Sequence, residues 1–204
     1  EASHAFPFDA GSEAEYRDGA ADALDVLQSV ESSVTSDLTD QRITAVGHAH
    51  IDLAWLWPWS ETVRKCSRSF SNVLRLMEDY PDFTFMQSQP HLYEWVRNRY
   101  PEQFETIRDR ISEGRWHPEG ALWVESDINN VGSEALARQF LYGKRYFREE
   151  FGADPEVTFI PDVFGYSAGL PGISQAADCP YFLTQKMSWS EIDEFPHSPF
   201  RWEG

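Results

Sequence analysis

The segment Ile43-Thr-Ala-Val-Gly-His-Ala-His-Ile-Asp52 decides the fold, because it joins a short β-type run to a group of polar residues. A helix follows it, opened by Pro58, and the apolar side chains of residues 63–77 recur there at helical spacing. Pro81 ends this helix, and residues 83–87 form a second β-type run. Strand, helix and strand in this order form the repeating unit of a parallel sheet.

The same alternation continues along the chain. Helical patterns at 92–111 and 133–152, and a short helix between the last two β-type runs, alternate with β-type runs at 116–125, 157–160 and 181–184. Strands joined by helical connections long enough to cross over predict an α/β fold with about five parallel strands. These elements leave open whether the sheet closes into a barrel.

Residues 1–40 differ from the remaining chain in composition. Small and acidic residues dominate, with one amphipathic stretch over residues 13–34 and a polar segment over 35–40. We therefore predict two regions. Residues 1–40 form a helical linker that belongs with an upstream domain, and residues 41–204 form the α/β region.

The chain is strongly acidic. It holds 34 Asp and Glu against 17 Lys and Arg, which gives a formal net charge of −17. Such a surface repels nucleic acid and anionic membranes, so neither is expected as a partner, and no apolar run is long enough to span a bilayer. The acidic residues are scattered, which is typical of proteins adapted to high salt and also of ordinary acidic cytosolic enzymes.

The two cysteines, Cys66 and Cys179, lie far apart and form no Cys-x-x-Cys pair, so they cannot make a cysteine zinc site by themselves. Cys66 falls on the apolar stripe of a helix and is predicted to be a buried free thiol. A free thiol fits a reducing compartment, and we expect a cytoplasmic protein.

Polar or ionisable residues follow each of the five β-type runs. In parallel α/β folds the functional site lies at the carboxyl ends of the strands, so we expect these side chains to meet at one rim. They are His48, His50 and Asp52 after the first run, Gln87 and Gln89 after the second, Glu125 and Asp127 after the third, Asp162 after the fourth, and Thr184 and Lys186 after the fifth.

The spacing of His50 and Asp52 suggests a metal site. Residues two apart point the same way on an extended segment, and one imidazole with one carboxylate suits zinc. A buried hydrogen-bonded pair explains the same spacing, and His48 is an alternative ligand. Asp162 lies in Pro-Asp-Val-Phe-Gly, where the usual role of the aspartate is to bond the backbone of its own turn.

Five longer motifs stand in a fixed order within residues 43–204. They are HAHIDLAWLW (48–57), GRWHPEGALWVESD (114–127), LYGKRYFREEFG (141–152), FIPDVFGYS (159–167) and YFLTQKMSW (181–189). Together they resemble the α-mannosidases of glycoside hydrolase family 38, and their wording is similar to the cytosolic and microbial branch.

The resemblance implies a fold and a set of site residues. The fold is a seven-stranded (β/α) barrel, present here in incomplete form. His50, Asp52 and Asp162, with one more histidine, bind zinc, or cobalt in its place. Asp162 is also the catalytic nucleophile. Trp55 packs against the sugar, and Phe164 lines the same pocket.

The implied activity is that of a retaining α-mannosidase, which hydrolyses terminal α-linked mannose from oligosaccharides by double displacement. In the family, the acid/base and the fourth metal ligand come later in the chain, so these 204 residues are expected to be inactive alone. The full-length protein is expected to be a homo-oligomer. The alternatives are a zinc-dependent polysaccharide deacetylase-like hydrolase and a non-catalytic carbohydrate-binding module. The tryptophan-rich strand ends and the FIPDVFGYS motif favour the mannosidase.

The net charge of −17 leads to a prediction about stability. Molar sodium chloride is expected to raise the melting temperature, because salt screens the repulsion among the carboxylates. Thermal melts followed by circular dichroism across a salt series measure this. A melting temperature that stays constant or falls would favour the ordinary acidic enzyme over the high-salt protein.

Overall fold

The computed structural model describes residues 12–33, 43–193 and 195–204. These residues belong to two units, one within 1–44 and one comprising 45–204, and each is described by itself. The first unit contains helix α1, Glu13–Ser33, as its amphipathic pattern predicts. The polar segment predicted over 35–40 lies outside the described residues.

The second unit alternates strands and helices as predicted, with strands shorter than the β-type runs. Among the described residues, no helix is long and apolar enough to cross a membrane. The elements are β1 Gly47–His48, α2 Trp59–Asp79, β2 Phe85–Gln87, α3 Pro90–Arg99, α4 Pro101–Ser112, β3 Trp116–Pro118, α5 Ser133–Phe151, β4 Val157–Phe159, α6 Leu170–Ala176, β5 Tyr181–Leu183 and a 3-10 turn, Lys186–Trp189.

The strands pair in parallel and in chain order. β1, β2 and β3 form one sheet, and β4 pairs with β5 in another. Hydrogen bonds join the two sheets between β3 and β4. The Ala121 N–H donates to the Val157 carbonyl at 3.0 Å, and the Glu119 carboxylate accepts the N–H groups of Glu156 and Val157, each at 3.2 Å. The Glu119 side chain thus accepts hydrogen bonds that a backbone carbonyl of a neighbouring strand accepts in a regular sheet.

The third strand ends earlier than its sequence suggests. The β-type run extends to Glu125, but the strand stops at Pro118. Gly120 has a φ of +97°, which glycine adopts without steric cost. A Cβ atom there would lie 2.8 Å from the Cβ of Ser88. The chain therefore turns at Gly120 while it stays close to the end of β2.

Helix α5 lies directly on the backbone that follows this turn. A Cβ atom on Gly143 would lie 2.1 Å from the Ala121 carbonyl oxygen and 2.7 Å from the Trp123 nitrogen. The Trp123 N–H donates to the Gln139 carbonyl at 2.9 Å, and the Val124 N–H donates to the Gln139 side-chain oxygen at 3.0 Å. Hydrogen bonds to a helix therefore replace the strand pairing that the sequence predicts for this segment.

The core below the first sheet is aromatic. Trp116 on β3 is buried, and its indole N–H donates to the Tyr93 hydroxyl at 2.8 Å. The ring of Phe70 meets Trp116 edge-on, with 5.1 Å between centroids. Cys66, on the same stripe of α2, is a buried free thiol as predicted, and Cys179 is buried and free too. This core fixes the helices behind the strands and leaves the carboxyl ends for polar residues.

Two helical glycines make a matched test of the close approach on α5. Gly143→Ala is expected to destabilise the protein by about 1–3 kcal/mol, because the added methyl group meets backbone that cannot move aside. Gly172→Ala on α6 meets nothing within 4 Å and should be neutral or stabilising by up to about 1 kcal/mol. Urea unfolding of both variants measures the difference, and equal effects would contradict the packing described.

Candidate metal centre at the strand ends

Side chains that follow all five strands form one continuous chain of polar contacts. Lys186, after β5, pairs with Asp162, after β4. The other oxygen of Asp162 lies 3.3 Å from Nε2 of His50, after β1. Nδ1 of His50 lies 2.9 Å from Oε2 of Glu125, beyond β3. Ser88, after β2, donates to Oε1 of Glu125 at 2.9 Å. The polar side chains therefore converge on one rim, as their positions in the sequence suggest.

His50, Asp52 and Asp162 fit a divalent metal ion. Each offers one ligand atom, and these atoms lie within 4.8 Å of one another. Nε2 of His50 is 3.1 Å from Oδ1 of Asp52 and 3.3 Å from Oδ2 of Asp162. Tetrahedral zinc, with bonds of about 2.0–2.2 Å, holds its ligand atoms roughly 3.3–3.6 Å apart. The donor types and separations thus suit zinc.

The charges around His50 change its protonation. Burial alone lowers the pKa of His50, but the hydrogen bond and charge of Glu125, with contributions from Asp52 and Asp162, outweigh burial and raise the pKa to about 9. Without a metal, the neutral-pH protein therefore holds an imidazolium among three carboxylates. A metal ion bound at Nε2 would displace a proton from this histidine.

His48 has a different environment from His50. Its Nδ1 lies 3.0 Å from the Met86 carbonyl oxygen, and its ring meets Phe159 edge-on with 4.9 Å between centroids. Burial is the largest influence on its pKa, which is lowered. His48 thus packs between the strands, and the group of candidate ligands contains His50 instead.

Lys186 places a buried cation beside Asp162. Its side chain is 5% exposed, and Nζ lies 3.1 Å from the Trp189 ring centroid and 4.6 Å from that of Phe164. The Phe164 ring is itself 66% exposed. In the sequence, Lys186 is marked by its position at a strand end and within the motif YFLTQKMSW, and neither signal gives it a role.

Trp55, the other aromatic residue that the resemblance implies for sugar binding, lies in the loop between β1 and α2 and is 66% exposed. Its ring meets Trp57 edge-on at 5.3 Å. Trp57 is fixed from behind, since its indole N–H donates to Thr62 at 2.9 Å and Lys65 lies 4.4 Å from its ring centroid. The exposed indole of Trp55 thus packs against Trp57, whose position is fixed by its own contacts.

The two acidic residues beyond β3 have separate environments. The Glu125 side chain is 4% exposed and lies against His50. Asp127 is exposed and accepts the N–H groups of Asn129 and Asn130 at 2.9 and 3.1 Å. The sequence predicts that both residues lie at a strand end, but it does not predict the contact between Glu125 and His50.

Comparison with known proteins identifies relatives of this chain. Residues 40–204 match the family model described as glycosyl hydrolases family 38 N-terminal domain. The chain is 48% identical over 163 residues to alpha-mannosidase G of Dictyostelium discoideum, which covers 80% of the chain and 15% of that protein. It is 49% identical over 162 residues to human alpha-mannosidase 2C1, with 79% of the chain and 16% of that protein covered.

Two further comparisons extend this result. The alpha-mannosidase of Saccharomyces cerevisiae is 38% identical over 191 residues, which cover 93% of the chain and 17% of that protein. The crystal structure of an alpha-mannosidase from Enterococcus faecalis superposes with a TM-score of 0.63 at 26% identity, over 68% of this chain and 16% of that one. The chain thus spans 15–17% of the length of these curated relatives.

The contrast between the two histidines leads to a metal-binding prediction. In full-length protein, His50→Ala is expected to lose most of its bound metal, since Nε2 faces both aspartates. His48→Ala should keep most of it. Elemental analysis after dialysis, with circular dichroism to verify folding, measures both. Loss of metal from a folded His48→Ala protein would reverse the two roles.

Proposed function

The chain belongs to glycosyl hydrolase family 38, whose N-terminal domain matches residues 40–204, and we propose that it carries part of the active site of a retaining α-mannosidase. The proposed reaction is hydrolysis of terminal α-linked mannose from oligosaccharides. The observation that carries the proposal is the meeting of His50, Asp52 and Asp162 at the strand ends. The relatives described above, which are named alpha-mannosidases, support the same reaction.

The proposal includes the domain and the barrel. Residues 41–204 are the N-terminal part of the catalytic domain, and residues 1–40 are a helical linker. Strands β1 to β5 are part of a seven-stranded (β/α) barrel. The parallel pairing and the chain-order succession of the strands support this arrangement, because a (β/α) barrel has both.

Asp162 is the proposed nucleophile. One of its oxygens pairs with Lys186, and the other lies 3.3 Å from Nε2 of His50. Contacts on both oxygens fix the orientation of the carboxylate, so it would meet the anomeric carbon at a constant angle. In a retaining reaction it forms a covalent glycosyl–enzyme intermediate. A second carboxyl group, about 5–5.5 Å away, protonates the leaving oxygen and then activates water.

His50, Asp52 and Asp162 are the proposed ligands of zinc, or of cobalt in its place. When bound, the metal supplies positive charge that holds sugar hydroxyl groups and stabilises charge in the transition state. Glu125 keeps the other nitrogen of His50 occupied, at 2.9 Å, so that Nε2 is the nitrogen free for the metal. The fourth ligand is proposed to be a histidine later in the protein.

Trp55 and Phe164 are the proposed sugar contacts. Both rings are about two-thirds exposed, at 66% each, and aromatic faces pack well on the apolar faces of sugar rings. Phe164 adjoins Lys186, the partner of Asp162. A ring at this place would hold the sugar next to the proposed nucleophile.

The acid/base is proposed to lie outside residues 1–204. Glu125 is buried against His50, and Asp127 binds the backbone of its own turn, so neither carboxylate is free to protonate a leaving group. The 204-residue chain should therefore hydrolyse no aryl α-mannoside. It should also bind zinc more weakly than the full-length enzyme, because the fourth ligand is proposed to lie later in the protein. Turnover by the chain alone would make Glu125 or Asp127 the acid and would overturn this proposal.

Setting and assembly complete the proposal. Both cysteines are buried free thiols, which supports a reducing, cytoplasmic setting. The full-length protein is proposed to be a homo-oligomer, and sedimentation of that protein tests this. The deacetylase and carbohydrate-binding alternatives gain no support from the family model or the relatives. Parallel assays with an aryl α-mannoside and an acetylated oligosaccharide separate the reactions.

The nucleophile assignment gives a kinetic prediction. In the full-length enzyme, Asp162→Ala is expected to lower kcat by roughly 10³-fold or more, because the covalent route is lost. Asp162→Asn should do the same and leave the fold largely intact. The exposed Asp82→Asn, with the same charge change, should keep wild-type activity. If Asp162→Ala retained more than a few per cent of activity, the assignment would fail.

A further inference from the structure

Glu125 stands out among the acidic residues at the strand ends, because its side chain is enclosed, with one oxygen accepting a hydrogen bond and the other lying against His50. Its side chain is 4% exposed. Oε2 lies 2.9 Å from Nδ1 of His50, and Oε1 accepts the Ser88 hydroxyl at 2.9 Å. A carboxylate enclosed in this way cannot act on a substrate, so any contribution to the site must pass through His50.

The backbone around Glu125 is tied to the segment that carries His50. The Glu125 N–H donates to the side-chain oxygen of Gln89 at 3.2 Å, and the nitrogen of the same amide donates to the Ile51 carbonyl at 3.1 Å. One buried amide thus bridges the residue after His50 and Glu125. Because the bridge joins the backbone of the two segments that carry the carboxylate and the imidazole, it holds these segments next to each other.

Gln89 adopts an uncommon backbone conformation to make this bridge. Its φ is +62° and its ψ is 82°, a region that residues other than glycine rarely occupy. Such strain persists where the surroundings impose it, and it is concentrated at functional sites. The cost is consistent with a need to hold the end of β2 between His50 and Glu125.

We propose that Glu125, held by Ser88 and Gln89, is a positioning residue that orients the imidazole of His50 for metal binding. By accepting the Nδ1 proton, the carboxylate fixes the tautomer in which Nε2 is unprotonated once a metal is bound, and it stops rotation of the ring. Nε2 is then directed at Asp52 and Asp162, 3.1 and 3.3 Å away. This inference rests on the proposed metal-dependent function and adds a residue outside the ligand set.

The variant Glu125→Gln tests the inference in full-length protein. It keeps the shape of the side chain but removes the charge that holds Nδ1–H. The zinc dissociation constant, measured by competition with a chromophoric chelator, is expected to rise about 10–100-fold. Ser88→Ala, which removes one hydrogen bond to the same carboxylate, should raise it less. Circular dichroism and thermal melting establish that each variant is folded.

Asp127→Asn is the matched control. It removes one negative charge two residues away, from a carboxylate that binds its own turn and not His50. Its zinc affinity should stay within about threefold of wild type, which removes long-range charge as an explanation. Equal weakening by Asp127→Asn and Glu125→Gln would overturn the inference.

A double variant distinguishes positioning from direct ligation. If Glu125 acts through His50, Glu125→Gln should weaken zinc binding in the wild-type background but add little in the His50→Ala background. Equal losses in both backgrounds would mean that Glu125 binds the metal directly. The d–d spectrum of the cobalt-loaded protein gives a second readout: a band shift without loss of intensity supports reorientation of a retained ligand, and an unchanged spectrum contradicts it.

The measurements separate this inference from the proposed function. Wild-type protein that binds no zinc or cobalt, and does not hydrolyse an aryl α-mannoside, would refute the function itself. Wild-type protein that does both, with zinc affinity unchanged in folded Glu125→Gln, would refute only the role of Glu125.

Discussion

The balance of charge at the strand ends is the constraint on which this structure depends. Asp52, Glu125 and Asp162 surround the imidazole of His50, and buried Lys186 pairs with Asp162 from the other side. Partly buried carboxylates are stable only where positive charge or hydrogen bonds compensate for lost water. A cation at Nε2 of His50, whether a proton or a metal ion, satisfies the same requirement. The carboxylates around His50 thus create a local negative charge that a bound metal ion would neutralise.

Strands of two or three residues could not hold such a site by themselves. Beyond the strand ends, polar side chains form the hydrogen bonds to the backbone that a neighbouring strand forms within the sheet. Glu119 accepts backbone N–H groups at β4. Gln89 bridges the segments that carry His50 and Glu125. Gln139 on α5 accepts hydrogen bonds from the two backbone N–H groups that precede Glu125. Backbone at the rim needs partners as much as backbone in a sheet does. These polar side chains therefore determine where the site residues lie.

In the proposed reaction, Asp162 has to present a carboxylate in one orientation. Lys186 and His50 act on different oxygens of it, so rotation about the side-chain bond would break one contact or the other. Lys186 is in turn enclosed by the rings of Phe164 and Trp189. The aromatic residues near the proposed sugar site thus have a second effect, since they exclude water from the cation that holds the nucleophile in place.

The sequence by itself determined the alternation of strands and helices, the parallel order, the convergence of polar residues on one rim and the family, because periodicity, prolines and motifs are local properties. The tertiary structure decided which polar residues meet. The run from Trp116 to Glu125 reads as one strand, yet Gly120 turns the chain and Gly143 admits helix α5 onto it. Glu125 reaches His50 through that turn. Spacing along a chain cannot encode such a contact, because it depends on packing between segments far apart in sequence.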